Sequence, residues 1–135
     1  MPAQVMSAVQ IFTRTGTGWS IDPLNPTVDS TGIVFDLRTA GDFQLNYAYT
    51  KGTSGESGLV FGFDVQHAAA ASWRKLQDDT LAQRDWMLSA TASGSFWLGE
   101  FGRRFTGYAM RAWSYTVGTS VATTSLTLHL IPIAE

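Results

Sequence analysis

DFQLNYAYT, residues 42–50, decides the fold class. Phe43, Leu45, Tyr47 and Tyr49 alternate with Asp42, Gln44, Asn46 and Ala48. A period of two sets large apolar side chains on one face and polar or small ones on the other, the pattern of a half-buried antiparallel strand. The next such run, GLVFGFDVQ at 58–66, places Leu59, Phe61, Phe63 and Val65 on one face and Gly58, Val60, Gly62, Asp64 and Gln66 on the other. Between them KGTSGESG, residues 51–58, has three Gly among polar residues and reads as a hairpin loop.

The same alternation extends outward. Ile33, Phe35 and Leu37 alternate with Val34, Asp36 and Arg38, and residues 96–101 form a short aromatic run. In residues 108–117, Met110 lies on one face and Trp113, Tyr115 and Val117 on the other. In residues 124–133, Leu126, Leu128 and Leu130 oppose Thr127, His129 and Ile131, and Pro132 suits a strand end or an edge because it cannot donate to a ladder. Residues 5–12 are a further strand candidate. Turn signals separate these runs: Gly16-Thr17-Gly18, Asp22-Pro23 through Pro26, Ala40-Gly41, Ser93-Gly94, Gly102 and Gly118. The spacing predicts an all-β chain, an antiparallel β-sandwich of jelly-roll or Greek-key-like type.

One stretch departs from the period. Residues 68–71 are an Ala run that favours helix, but Trp73, Leu76 and Leu81 fit a helix only in part, so a short helical or loop insertion is expected near 66–85. No repeat or linker interrupts the chain. The expected organisation is a single domain over 1–135, with an N-terminal strand and arm in 1–30 and the sandwich in 31–135.

Composition narrows the function. The 135 residues are 44% hydrophobic, 13% aromatic and only 15% charged, enough apolar surface for a real core. A net charge of −2 argues against nucleic acid as a partner, since that needs concentrated positive charge. There is no Cys, which excludes disulfides, thiolate metal sites and a Cys nucleophile. No apolar run is long enough for a membrane helix, and the N-terminus lacks the basic and apolar regions of a secretory signal.

Candidate chemistry is sparse. His67 and His129 are far apart with no ligand spacing, and each reads as an ordinary surface or hydrogen-bonded His. No G-x-S-x-G or phosphate-loop pattern occurs, and Ser54 and Ser57 suit a turn. Asp78 and Asp79 would point to opposite faces of a strand. Asp22, Asn25 and Asp29 form an oxygen-rich loop, but they match no Ca²⁺ spacing and read better as Asx turns. The expectation is therefore no enzyme, no cofactor and no metal. A small hydrolase using Asp78, Asp79 and His67 is the weakest alternative.

Five Trp are many for this length. On a sandwich they can fill the core, as expected for Trp97 and Trp113, stack on sugar rings, or anchor a protein interface. Residues 13–31, rich in Pro, Gly, Asp and Asn, are either an arm that packs on a neighbouring subunit or a long surface loop. Trp19 lies where an intramolecular core is least available, so it is the first interface candidate, with Ile21 and Leu24 beside it. Arg103 and Arg104, between Phe101 and Phe105, are further interface candidates, read as a solvated turn or a contact with an acidic partner.

Several of these features together resemble a known type. TAGDFQLNYAYTKGTSGESGLVFGFDVQ (39–66) carries the turn Tyr49-Thr50-Lys51-Gly52-Thr53; Ser72-Trp73 follows, then a strand with Tyr108 and Arg111, then TSVATTSLTLHLIPI (119–133) with its final S-L-T-L strand. This arrangement resembles the small β-sandwich structural proteins of tailed bacteriophages, over about residues 30–133. The Ala run at 68–71 and the arm at 13–31 depart from the pattern. The resemblance implies a non-enzymatic virion component assembled in the host cytoplasm. A capsid decoration or cement protein is the first expectation, with copies of itself and the major capsid protein as partners. A neck or tail component, or a carbohydrate-binding sandwich, is the alternative.

Overall fold

The computed structural model describes residues 4–5, 8–28, 34–36, 42–53, 55–68, 72–77, 83–97 and 109–134. Ten strands form in chain order: β1 Gln4–Val5, β2 Val9–Thr15, β3 Phe35–Asp36, β4 Asp42–Thr50, β5 Glu56–Gln66, β6 Arg74–Lys75, β7 Asp85–Leu88, β8 Ala92–Trp97, β9 Ala109–Gly118 and β10 Ser125–Ala134. They make two antiparallel sheets, each four columns wide. In the first, β1 and β2 share one edge of β10, which pairs with β4, which pairs with β8. In the second, β3 pairs with β9, β9 with β5, and the other edge of β5 is shared by β6 and β7. The chain passes from one sheet to the other, in jelly-roll fashion, between β2 and β3, β3 and β4, β4 and β5, β7 and β8, β8 and β9, and β9 and β10.

The period-two faces meet between the sheets. Leu45, Tyr49, Leu126, Leu128 and Leu130 from the first sheet bury against Leu59, Phe61, Phe63, Val65, Met110 and Ala112 from the second. Ile11 and Phe12 of β2 complete the layer. Pairing fixes the register: Leu45 stands opposite Leu130, and Phe63 opposite Ala112.

Three local expectations are corrected. Glu56 and Ser57 belong to β5, not to the preceding loop, because β5 begins at Glu56. Ser93-Gly94 is no turn but the middle of β8, held by pairing with Ala48 and Tyr47. Pro132 lies in a central strand, at the break between β1 and β2 where neither pairs with β10, so its missing N–H interrupts no ladder there. Near 66–85, where the expectation is a short helix or a loop, the described residues form no helix and fit the second alternative. There β6 returns alongside Asp64 and Val65, and Gln77 bridges Gln83. Residues 69–71 and 78–82, with Asp78 and Asp79, lie outside the described residues.

The alternation of β5 is also incomplete as a guide to burial. Val60 and Asp64 are buried although their faces point away from the core. Lys75 of β6 and Arg111 of β9 cover Asp64, and Val60 stands between Met87 of β7 and Tyr115 of β9.

Candidate functional site: a pinned loop and an ionic strip

β2 ends in a reversal that fits Gly alone. Gly16 (φ 104°) and Gly18 (φ 85°) take left-handed conformations that side chains rarely adopt. The turn swings Trp19 back over β2, its ring 6.1 Å from that of Phe12 with the Arg14 guanidinium 5.6 Å from its centroid. Trp19 is 5% exposed and belongs to the core of its own chain. The expectation that it lacked an intramolecular core is thus corrected: Phe12 supplies one. Trp19 is the buried root of the segment, not its surface anchor.

Beyond Trp19 the chain runs along the stretch of β9's edge past its pairing with β3. Thr116 N–H donates to the Ser20 carbonyl (2.9 Å), and Thr27 exchanges N–H···O bonds of 2.9 and 3.1 Å with Ser114. Ser20 N–H also donates to Thr27 Oγ1 (2.6 Å), and Ser20 Oγ to the Asn25 carbonyl (2.7 Å). The loop between is therefore closed at its base. At its tip, Asp22 accepts from Leu24 N–H (2.9 Å) and Asn25 Nδ2 (3.0 Å). The Asn25 amide above all, then the Leu24 N–H, holds the Asp22 carboxyl below its ordinary range. Both carboxylate oxygens are thus engaged within the loop, as the Asx-turn reading expects. Beside the exposed Asp22 and Asn25, the loop shows two large apolar side chains to solvent: Ile21 is 63% exposed and Leu24 84%. Of the described residues 13–28, the first three end β2 and residues 16–28 are a loop docked on their own sandwich. Arg103 and Arg104 lie outside the described residues.

A second feature, on the outer face of the β5–β9 sheet, was missed by sequence reasoning. Register puts Lys75, Asp64 and Arg111 side by side across β6, β5 and β9. Asp64, 5% exposed, accepts from Lys75 Nζ at 3.0 Å and Arg111 Nε at 3.3 Å. The Arg111 guanidinium lies 4.3 Å from the ring centroid of Trp73, and Lys75 Nζ lies 4.5 Å from that of Trp113. Trp113 in turn stacks on Tyr115 at 6.1 Å, with the rings 6° from parallel. Burial, and then the charge of Asp85, raise the Tyr115 phenol above its ordinary value. Trp113 is buried, yet it fills this outer strip and not the space between the sheets, which corrects its expected place. The side chain of Trp97 lies outside the described ones. With Trp19 and Trp113 both buried, neither offers a ring face to a sugar.

Other candidates stay apart. His129 pairs across its strands with Asn46 and Gln10, and His67 is exposed just beyond β5. Among the described residues no group of three or more His, Cys, Asp or Glu is placed to hold a metal. No helix of the described residues is long and apolar enough to cross a membrane.

No known family profile matches the sequence, and no curated protein matches it. Among solved structures, Eiger TNF from S. frugiperda aligns with 98% of this chain and 92% of that one, at 10% identity and a TM-score of 0.37. A likeness of that degree carries no argument about function.

Proposed function

We propose that this chain is a structural virion protein, a capsid decoration or cement subunit. It would hold a particle together by protein–protein contact and run no reaction. The resemblance to tailed-phage sandwich proteins motivates the class. One observation of the fold carries the mode of contact: a loop pinned at Ser20 and Thr27 to β9 holds Ile21 and Leu24 out to solvent.

The physics of such a loop favours attachment. Apolar side chains gain free energy when a partner covers them. A loop already ordered by its own hydrogen bonds loses little entropy on binding. Many copies, each burying a modest area, then attach firmly through avidity.

The test is composition of the particle. Particles purified from a culture in which this gene is expressed alongside virion assembly should contain the chain in a fixed, symmetric copy number. Leu24→Asp should empty them of it without unfolding the chain. Finding the chain only as a free monomer in the lysate overturns the reading.

A further inference from the structure

The ionic strip does more than hold a sheet together. Arg111 commits Nε to Asp64 and the flat of its guanidinium to Trp73. Among the described residues neither of its terminal Nη groups has a hydrogen-bond partner, and its side chain is 32% exposed. Two cations surround one carboxylate, so the cluster keeps one positive charge uncompensated. The acid that holds it in place is itself buried, which fixes the guanidinium plane without occupying its outward edge.

We propose that Arg111 is a preorganised receptor for a carboxylate, and that the carboxylate belongs to an acidic side chain of a partner polypeptide. A guanidinium presents parallel N–H donors that match the two oxygens of a carboxylate in a fork. Its ordering is already achieved by Asp64 and Trp73, so binding loses little rotamer entropy. A protein partner fits better than an acidic sugar because, among the described residues, no open aromatic platform adjoins the fork: Trp113 is fully buried and Trp73 is half-buried with Arg111 over its ring. The same sheet face also presents Met87, an exposed apolar side chain suited to the rim of a protein contact. This inference stands on the strip's geometry and does not depend on the virion reading.

The test is a titration of the full chain, labelled with nitrogen-15, following the Arg111 Nε–H resonance by NMR. Three probes are added separately: a glutamate-rich peptide, an oligogalacturonate and inorganic phosphate. The peptide should shift the resonance saturably. Arg111→Lys keeps the charge and a partner for Asp64 but removes the fork, and should weaken peptide binding by about tenfold or more. Circular dichroism of the variant confirms that it is folded, and Lys51→Gln, remote from the strip, serves as a control that leaves affinity unchanged. A response to oligogalacturonate and not to the peptide overturns the choice of partner. An equal response to phosphate overturns carboxylate selectivity. Silence to all three, or full peptide affinity in folded Arg111→Lys, overturns the site.

Discussion

Gly62 stands directly opposite Trp113 in the β5–β9 ladder, and a Cβ built on Gly62 would fall 2.4 Å from Trp113 Cζ2. The indole thus lies across the sheet over a residue that has no side chain. Added carbon there forces the ring or the strand to move, and overpacking of this kind costs about 1–3 kcal/mol. Gly62→Ala should lose stability within that range in urea unfolding, with a slope unchanged from the parent. A variant as stable as the parent would show that the indole has room to shift.

This contact also shows where the sequence is legible and where it is not. The core faces of β4 and β5 follow from their own alternation, and Leu45, Tyr49, Leu59, Phe61, Phe63 and Val65 are buried as that pattern predicts. The outer face of β5 does not follow from its sequence. Gly62 and Asp64 look like solvent-facing positions, and the groups that cover them are brought by register from β6 and β9. Trp19 was illegible for a related reason. Its burial depends on two glycine conformations and on Phe12, seven residues earlier, which no periodicity links to it. At Ser93-Gly94, local propensity lost to pairing. Arg74 and Lys75 are extended because β5 offers them partners, and Gly94 lies in β8 where a Cβ would sit 2.7 Å from the Tyr47 hydroxyl.

Asp64 is the hub of the ionic strip, and its removal should cost more than the loss of either cation. Asp64→Ala leaves Lys75 and Arg111 facing each other without their shared acceptor. Both cations are partly exposed, so water compensates in part, and the expected loss is about 1–3 kcal/mol, below that of a fully buried pair. Lys75→Gln should cost less than 1 kcal/mol, by the same reasoning for a partly exposed pair. Chemical denaturation of the two variants side by side is the check. Equal losses would mean that the carboxylate is not the hub.

Trp19 roots the loop that carries Ile21 and Leu24, so substitutions at root and tip should separate stability from display. Trp19→Ala removes a buried indole and should cost about 3–5 kcal/mol. It should also open residues 16–28 to limited proteolysis. Trp19→Phe should cost less, because it keeps a ring against Phe12 and removes an indole N–H that has no acceptor among the described residues. Leu24→Asp should leave stability within about 0.5 kcal/mol of the parent, since its side chain touches solvent. Proteolysis that leaves the loop intact in Trp19→Ala would show that the bonds of Ser20 and Thr27 to β9 hold it unaided.

Tyr49 gives the fold an alkaline limit. Its hydroxyl is buried, and burial first, then the carboxylate of Glu56, hold the phenol well above its ordinary value. Below pH 10 the phenol is neutral in folded and unfolded chains alike and contributes no pH dependence. Above pH 10 the unfolded chain releases its proton while the folded chain retains it. The unfolded state then gains free energy with each step in pH, and stability falls by up to about 1.4 kcal/mol per unit for this one group. Tyr49→Phe cannot ionise and lacks that slope. Parent and variant should differ by a constant amount from pH 7 to 9, and the parent's margin should shrink steadily between pH 10 and 11.5. Tyr115, whose phenol is also raised, titrates in both proteins and cancels in the difference. Urea unfolding at each pH measures it, and a margin that stays constant to pH 11.5 would place the ionising hydroxyl in water instead of beside Glu56.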